Sequence, residues 1–544
     1  MKKFTKYALS LIIACIIGYI YYYIALPPIN IHSPGFWYFL IGLFIILTII
    51  VGFFTAFRSI SNSKKNGKTH AINSTTNNRI LYTFLSLTGI IVVIYIIGSI
   101  FSSPIVNSTK YRNLINMKDG NFTDDIQQIS FNEIPILDKD SATLIGSRKM
   151  GSMVEYVSQF EVSDDYTQIN YQGKPVRVTP LEYGNIIKWF NNRSSGIPAY
   201  LKIDMATQDV EVVKLKQGIK YSEAEHFGRN IHRYLRFHYP TYMFDKINFE
   251  IDDNGTPYYI CPVNDYSIGL FGGRTISNVV LVNAVTGELT DYKIKEVPKW
   301  VDRVYSAKLL LSYYNYYGSL KHGFLNSIIG QKDCLKTTDG YNYLALDDDV
   351  WVYTGVTSVG KDKSNVGFIL MNQRTAETKY YSISGADENS AMSSAEGQVQ
   401  HLKYKATFPL LLNIANEPTY FIALKDDAGL VKKYAMVNVS KYQIVAIGDS
   451  INECQKTYIA LLKSNGVAED VDVDTLPKIT GKITKIAEGV VDGNSHYYIL
   501  LDNSSQLFDV SVVDYINIIK YSIGDNVTFT YTEGDETNTV LGVQ

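Results

Sequence analysis

Three apolar runs fall within the first hundred residues: Tyr7 to Leu26, Phe36 to Phe57 and Ile80 to Phe101. Each is 20–22 residues long and contains no charged side chain. At about 1.5 Å rise per residue a helix of that length crosses a hydrocarbon core of about 30 Å, so the pattern predicts three transmembrane helices. Their flanks are unequal. The leader Met1–Lys6 and the loop Arg58–Arg79 are basic, whereas the link Pro27–Gly35 carries only His32. Basic segments stay on the cytoplasmic side, so the expected topology is a multi-pass cell-membrane protein with a cytoplasmic N-terminus and residues 102–544 extracytoplasmic. Ile12-Ile13-Ala14-Cys15 has the outline of a lipoprotein signal, but an equally apolar stretch continues past Cys15 to Leu26, as in an ordinary helix. No charge lies within the runs, and Gly42 and Gly52 are too far apart for a small-residue helix contact, which argues against a channel or transporter.

Charge is distributed as unevenly as hydropathy. The 544 residues hold 51 Lys and Arg against 53 Asp and Glu. The first 101 residues contain eight of the basic side chains and no acidic one, which leaves the remainder near −10. A body that acidic disfavours a grip on nucleic acid or anionic lipid. The 42 Tyr and 24 Phe supply enough buriable surface to exclude a disordered chain, and the length implies several domains. Cys261, Cys334 and Cys454 are far apart and odd in number, so at most one disulfide can form and one thiol is left over; buried free thiols are the expectation, and no CxxC or nearby His marks a metal site.

Beyond a polar, turn-rich stretch assigned to a juxtamembrane stalk (102–145), one pattern recurs. An apolar strand ends in Asn or Asp, a short turn with Thr follows, and a second, alternating strand returns. The copies are Ala199–Asp204 with Val210–Val213, Val279–Asn283 with Leu289–Ile294, Gly367–Asn372 with Thr378–Ile383, and Tyr434–Asn438 with Tyr442–Ile447. This is a hairpin signature in which the Asn or Asp side chain can bond the turn backbone. Helical runs precede three copies, at Ser222–Phe237, Tyr305–Tyr317 and Ser390–Leu402, and further strands at Ile247–Ile251 and Leu410–Ile414 precede two of them. The unit is a helix followed by about four antiparallel strands, repeated every 70–90 residues or so. The expected fold class is therefore a three-helix transmembrane region followed by α+β: a partial module at 146–220, modules at 221–300, 301–388 and 389–466, an acidic linker at 467–476, and a small barrel at 477–544. In that last segment three strands, a short helix at Val513–Tyr521 and two strands have the order of an OB-like barrel. The hairpin Asn283-Ala-Val-Thr-Gly-Glu288 resembles the strand-turn-strand hairpins of PepSY-type α+β modules. That resemblance implies an extracytoplasmic place and a role in binding or in restraint of peptidases.

Chemistry-bearing motifs are sparse. HExxH, GxSxG, a Walker A loop, GxGxxG after a strand and an EF-hand loop are all missing from the sequence, and no catalytic residue, metal or cofactor is assigned. The strongest binding candidate is the run Ser222–Phe237. Its Ser222 and Glu225 have capping-box spacing, and Arg229, Arg233 and Arg236 would share one helical face suited to an acidic partner or a polyanionic wall polymer. A solvated face is the plainer alternative. His226, His232 and His238, six apart, cannot converge on one metal from a regular helix. Gly269–Gly273 fits a hairpin turn better than an anion cradle, Asp347-Asp348-Asp349 a charged turn better than a Ca²⁺ site. Ser394, Glu396 and His401 fit a helix start capped by Ser393 or Ser394 better than a hydrolase triad. The tyrosine pairs Tyr313-Tyr314 and Tyr316-Tyr317 fit packing better than glycan stacking. The expectation is a non-catalytic, membrane-anchored, extracytoplasmic binding or scaffold protein of a bacterial envelope, partnered by an envelope protein or wall polymer. A membrane-anchored hydrolase and an envelope sensor are the alternatives.

Overall fold

The computed structural model describes residues 2–66, 75–126, 134–346, 348–360, 364–467, 477–491, 494–512, 515–532 and 537–543. It divides into two units, 1–443 and 444–544. Three helices open the first: α1 (Lys2–Ala25), α2 (Pro34–Asn66) and α3 (Thr75–Phe101). Pro27 and Pro28 stop α1, since neither can continue the hydrogen-bond ladder, and Leu26 turns the chain with a φ of 46°. Among the described residues two helices are long and apolar enough to cross a membrane, α2 over Pro34–Phe53 and α3 over Leu81–Phe101; α1 has a shorter apolar stretch, Ala14–Ala25.

Among the described residues four larger sheets follow, and all use one plan. In each, a helix leads into a short strand and a longer second strand, both of which pair with different parts of a long third strand; a fourth strand then pairs with the third. In the first module Lys139–Gly151 precedes Phe160–Val162, Thr167–Tyr171, Lys174–Tyr183, Ile197–Asp204 and Val210–Ile219. The second has Ile231–His238, then Met243–Phe244, Asn248–Ile251, Pro257–Ile268, Gly272–Asn283 and Leu289–Lys293. The third has Ala307–Ser319, then Leu335–Thr337, Asn342–Leu346, Asp349–Ser358, Gly367–Asn372 and Thr378–Tyr381, and the fourth has Glu388–Gln398, then Lys405–Ala406, Leu410–Ile414, Glu417–Lys425 and Val431–Asn438. The recurring Asn or Asp does bond the turn. Asp204 accepts from the N–H of Ala206 and Thr207, Asn283 from Val285 and Thr286, Asn372 from Arg374 and Thr375, and Asn438 from Lys441.

The central sheets are buried on both faces, which explains why their strands read as continuous apolar runs. In Gly272–Asn283, Val280 and Val282 join a core shared with the first module, while Val279 and Leu281 join one shared with the third. Tyr259, Cys261 and Val263 divide from Ile260 in the same way on the neighbouring strand. Cys261, Cys334 and Cys454 are buried and form no disulfide.

Several expectations change. Residues 102–126 are not a spacer. Helix α4 (Pro104–Arg112) lies against Ala307–Ser319, Met117–Asp119 pairs in parallel with Thr378–Tyr381, and Tyr111, Ile115, Phe122 and Ile126 are buried. Isolated apolar residues in a polar stretch look like surface until a sheet edge receives them. The helix Lys139–Gly151 makes the first module complete, so it begins before residue 146. The helical run at 222–237 is broken: Phe227–Arg229 is a 3₁₀ turn, and the α-helix spans only Ile231–His238, capped by Asn230, whose side chain accepts from Arg233 N. Ser222 and Glu225 form no capping box. The helix Glu388–Gln398 is capped by Asp387, not by Ser393 or Ser394.

In the second unit, Ile451–Ser464 is capped by Ser450 and lies on Val445–Gly448. The strands Lys478–Val491, Asn494–Leu501, Leu507–Ser511, Asn526–Thr532 and Thr537–Val543 curl into a barrel, pairing first to second, second to third, third to fifth, fifth to fourth and fourth to first. Ile499, Phe508, Val510, Ile518 and Phe529 fill it, with a 3₁₀ turn at Ile516–Lys520 between the third and fourth strands. Phe508 is therefore core. Val513 and the acidic residues Glu469, Asp470, Asp472 and Asp474 lie outside the described residues.

Candidate functional site

The three arginines singled out from the sequence do not share a face. Arg229, in the 3₁₀ turn, donates to Arg193 O at 2.5 Å. Arg233 donates to Phe227 O and lies 4.3 Å from the ring centroid of Tyr23 in α1. Arg236 is only 7% exposed and donates to four carbonyl oxygens: Leu26 at 2.9 Å, Tyr239 at 3.2 Å, Pro240 at 3.1 Å and Tyr242 at 2.7 Å. Burial pulls its pKa down to about 10, which leaves the guanidinium charged at neutral pH. Five fixed donors suit such a carbonyl cluster, which lysine could not serve. Arg236 is thus a fastener between the second module and the end of α1. Phe237 packs on Tyr22 and Tyr23, Ile29 N donates to Pro240 O, and Asn30 Nδ2 donates to Thr241 O.

A second fastener lies at the hairpin Gly269–Gly272, which docks on the ends of α2 and α3. Gly269 and Gly273 adopt positive φ of 62° and 64°, so the glycines serve the turn. Ser102 Oγ accepts from the N–H groups of Leu270 and Phe271, and the Leu270 carbonyl lies 3.0 Å from His32 Nδ1. Phe271 packs on Trp37 and Tyr95. Trp and Tyr at helix ends are the side chains that settle at a membrane interface. A Cβ on Gly272 would collide with Ser102 O, Tyr111 Oη and Ile268 O. Gly272→Ala should therefore cost about 2 kcal/mol and loosen the docked hairpin. Gly397→Ala, on an exposed helix position with open space around its Cβ site, should add about 0.5–1 kcal/mol. Thermal unfolding of both variants in lipid nanodiscs checks the pair, and equal midpoints would contradict the docking.

A buried charged cluster forms where the first three modules meet. Glu250 accepts from the N–H groups of Asp302 and Arg303, each at 2.9 Å, and Asp302 Oδ2 accepts from Asn170 N at 2.6 Å. Burial lifts the Glu250 pKa to about 7 against the pull of those two N–H groups. Burial and the neighbouring Glu250 push Asp302 well up. Arg303 lies 4.4 Å from the Tyr343 ring centroid and donates to its hydroxyl; burial opposes its charge, but Tyr343 and Glu250 outweigh that and raise its pKa. Asp302 Oδ1, Arg303 Nε, Asn170 Oδ1 and Gln168 Nε2 have no hydrogen-bond partner among the described residues.

Beside this cluster is a cavity of about 210 Å³, walled by the first, third and fourth modules. Its lining includes Leu137, Arg177, Tyr341, Tyr343, Thr407 and Phe408. Arg177 is 6% exposed, and burial, with Arg303 nearby, lowers its pKa to about 10. Sequence reasoning missed these groups. Their signal is a charge inside an apolar alternation, as in Pro175-Val-Arg177-Val and Val301-Asp-Arg303-Val.

The remaining candidates are not assembled into sites. Ser394, Glu396 and His401 share no hydrogen bond among the described residues; Glu396 Oε1 instead accepts from Ala406 N. Asp349 pairs with Arg374 at 2.6 Å and accepts from Asn372, and Asp347 lies outside the described residues. His226, His232 and His238 do not converge, and among the described residues no group of three His, Cys, Asp or Glu could hold a metal. Tyr313 and Tyr314 are core, and Tyr316 packs on Tyr111.

No protein-family model matches the chain, and no curated protein does. Among solved structures, a mutant of the Synechocystis apocarotenoid oxygenase aligns at 8% identity over 63% of this chain and 56% of its own, with a TM-score of 0.14. The chain thus spans little more than half of that structure, and a TM-score so low carries no argument about fold or activity.

Proposed function

We propose that this chain is a non-catalytic scaffold or binding protein of a bacterial cell envelope, held by three transmembrane helices with its N-terminus cytoplasmic and residues 102–544 outside. The observation that carries the reading is the double fastening of the second module. Arg236 grips the carbonyl that ends α1, and Ser102 grips the hairpin that rests on α2 and α3. A tether would leave the modules free to reorient. This junction instead mounts them on the anchor, and the modules share cores with one another. Presenting a fixed surface at a fixed height is what a scaffold does. The basic flanks of the apolar runs support the orientation. The fourfold helix-plus-sheet repeat supports the kinship with PepSY-type modules, and the strand order one-two-three-five-four, closing on one, supports an OB-like barrel. An envelope protein or wall polymer remains the proposed partner.

Two measurements test this. Single cysteines at the exposed positions Asn121 and Lys441 should react with a membrane-impermeant maleimide in intact cells, and one at Lys64 only after lysis. The reverse pattern overturns the topology. A Ser394→Ala/Glu396→Gln/His401→Ala triple variant should complement a deletion strain as fully as the wild type, whereas removal of residues 134–443 should not complement. Loss of complementation by a folded, correctly inserted triple variant would overturn the non-catalytic reading in favour of a hydrolase.

A further inference from the structure

We infer that the cavity among the first, third and fourth modules is a binding site for a small organic carboxylate with an aromatic or apolar body, anchored by Arg177. This goes beyond the scaffold reading and does not depend on which side of the membrane the modules occupy. Four observations converge on it. Arg177 is 6% exposed yet forms no ion pair among the described residues. Among the described residues its only hydrogen bonds are long, from Nε to Leu137 O at 3.3 Å and from Nη2 to Gln168 Oε1 at 3.4 Å, and Nη1 makes none. A buried guanidinium without a counter-ion is costly, and a carboxylate that could take two of its donors in parallel would offset that cost. The nearest acid on the cavity wall, Asp138, is already committed: it pairs with Lys425 at 2.5 Å and caps Ser141 N at 2.9 Å. Lys139 also lines the cavity, so among the described residues the wall holds two cationic side chains against Asp138 alone.

The rest of the lining sets the body of the ligand. Tyr341, Tyr343 and Phe408 supply aromatic rings, and Leu137, Met205 and Leu410 supply aliphatic surface. A multivalent phosphate would meet too few donors on such walls, whereas a single carboxylate on a ring would use both the charge and the apolar surface. The volume of about 210 Å³ fits a molecule the size of phenylacetate.

The test uses full-length protein in nanodiscs, titrated calorimetrically with phenylacetate and with phenylacetamide, its neutral counterpart. Saturable one-to-one binding of phenylacetate is expected, at least about tenfold tighter than phenylacetamide, because a charge-assisted pair is lost with the amide. Arg177→Met should bring the carboxylate down to the level of the amide. Thr407→Trp, which fills the cavity and leaves Arg177 in place, should abolish binding of both and serves as the test if Arg177→Met does not fold. Absence of phenylacetate binding, equal affinity for the two probes, or undiminished binding by Thr407→Trp would each overturn the assignment.

Discussion

Arg236→Met should release the second module from the N-terminal helices and destabilise the protein by about 4 kcal/mol. The side chain is 7% exposed and serves four carbonyls drawn from three places: Leu26 at the end of α1, Tyr239 and Pro240 after the helix Ile231–His238, and Tyr242 beyond. Methionine fills much of the volume and satisfies none of those acceptors: Pro240 O and Tyr239 O keep the N–H groups of Ile29 and Tyr242, but Leu26 O and Tyr242 O lose the donor they have, which is costly at a buried junction. Arg236→Lys should recover only part of the loss, since three donors on one nitrogen cannot span four divergent oxygens. Arg229→Gln is the control: it removes a single bond, to Arg193 O, and should shift stability by less than about 0.5 kcal/mol. The readout is local. Hydrogen exchange in nanodiscs should rise at the amide of Ile29, which donates to Pro240 O, while the amides of the barrel keep their protection. A methionine variant with wild-type exchange at Ile29 would show that Phe237, Tyr22 and Tyr23 hold the junction without the arginine.

That result bears on why Arg229, Arg233 and Arg236 looked like a binding face. Their spacing is helical, and a continuous helix over 222–237 would align them. The chain breaks it at Asn230, which caps a new helix, and Phe227 takes a φ of 52°. The buried Glu225 receives hydrogen bonds from Tyr183 and Trp189, so the segment before the break is held by the first module instead of by its own ladder. Tertiary packing overrode local propensity, as it can where a short helix has few internal bonds. The hairpins were legible because their cause is local: an Asn or Asp side chain bonding amides two or three residues on. The apolar runs were legible for the same reason of pattern. The cavity and the acid pair were not, because Arg177, Glu250 and Asp302 come from distant strands and loops, and no spacing along the chain records their meeting.

The acid pair predicts an unusual pH dependence. Glu250 is fully buried, and its pKa stands near 7 instead of the usual 4.5; Asp302 is raised as well. The groups around them are Arg303, Tyr343 and Asn170, with Asp349 adding negative charge from the third module. A carboxyl whose folded pKa lies above its unfolded value binds protons more tightly in the folded state. Its contribution is fully present below about pH 4.5 and is lost as pH rises through about 7. Raising the pH from about 5 to 8 should therefore cost the wild type stability, of the order of 2–3 kcal/mol from this site. Acids held low act outside this window. Asp138, which Lys425 holds low despite its burial, and Glu223, which His232 holds low, contribute stability that is fully present above about pH 4.5 and is lost only as pH falls further. The site is isolated by difference: Glu250→Gln keeps an acceptor for one of the two amides of Asp302 and Arg303 but does not titrate. Chemical denaturation of wild type and variant at half-unit steps from pH 5 to 8 should give a difference that favours the wild type at low pH and shrinks or reverses as pH rises. A difference constant with pH would mean that Glu250 keeps one protonation state throughout, with Arg303 and the two amides holding it ionised.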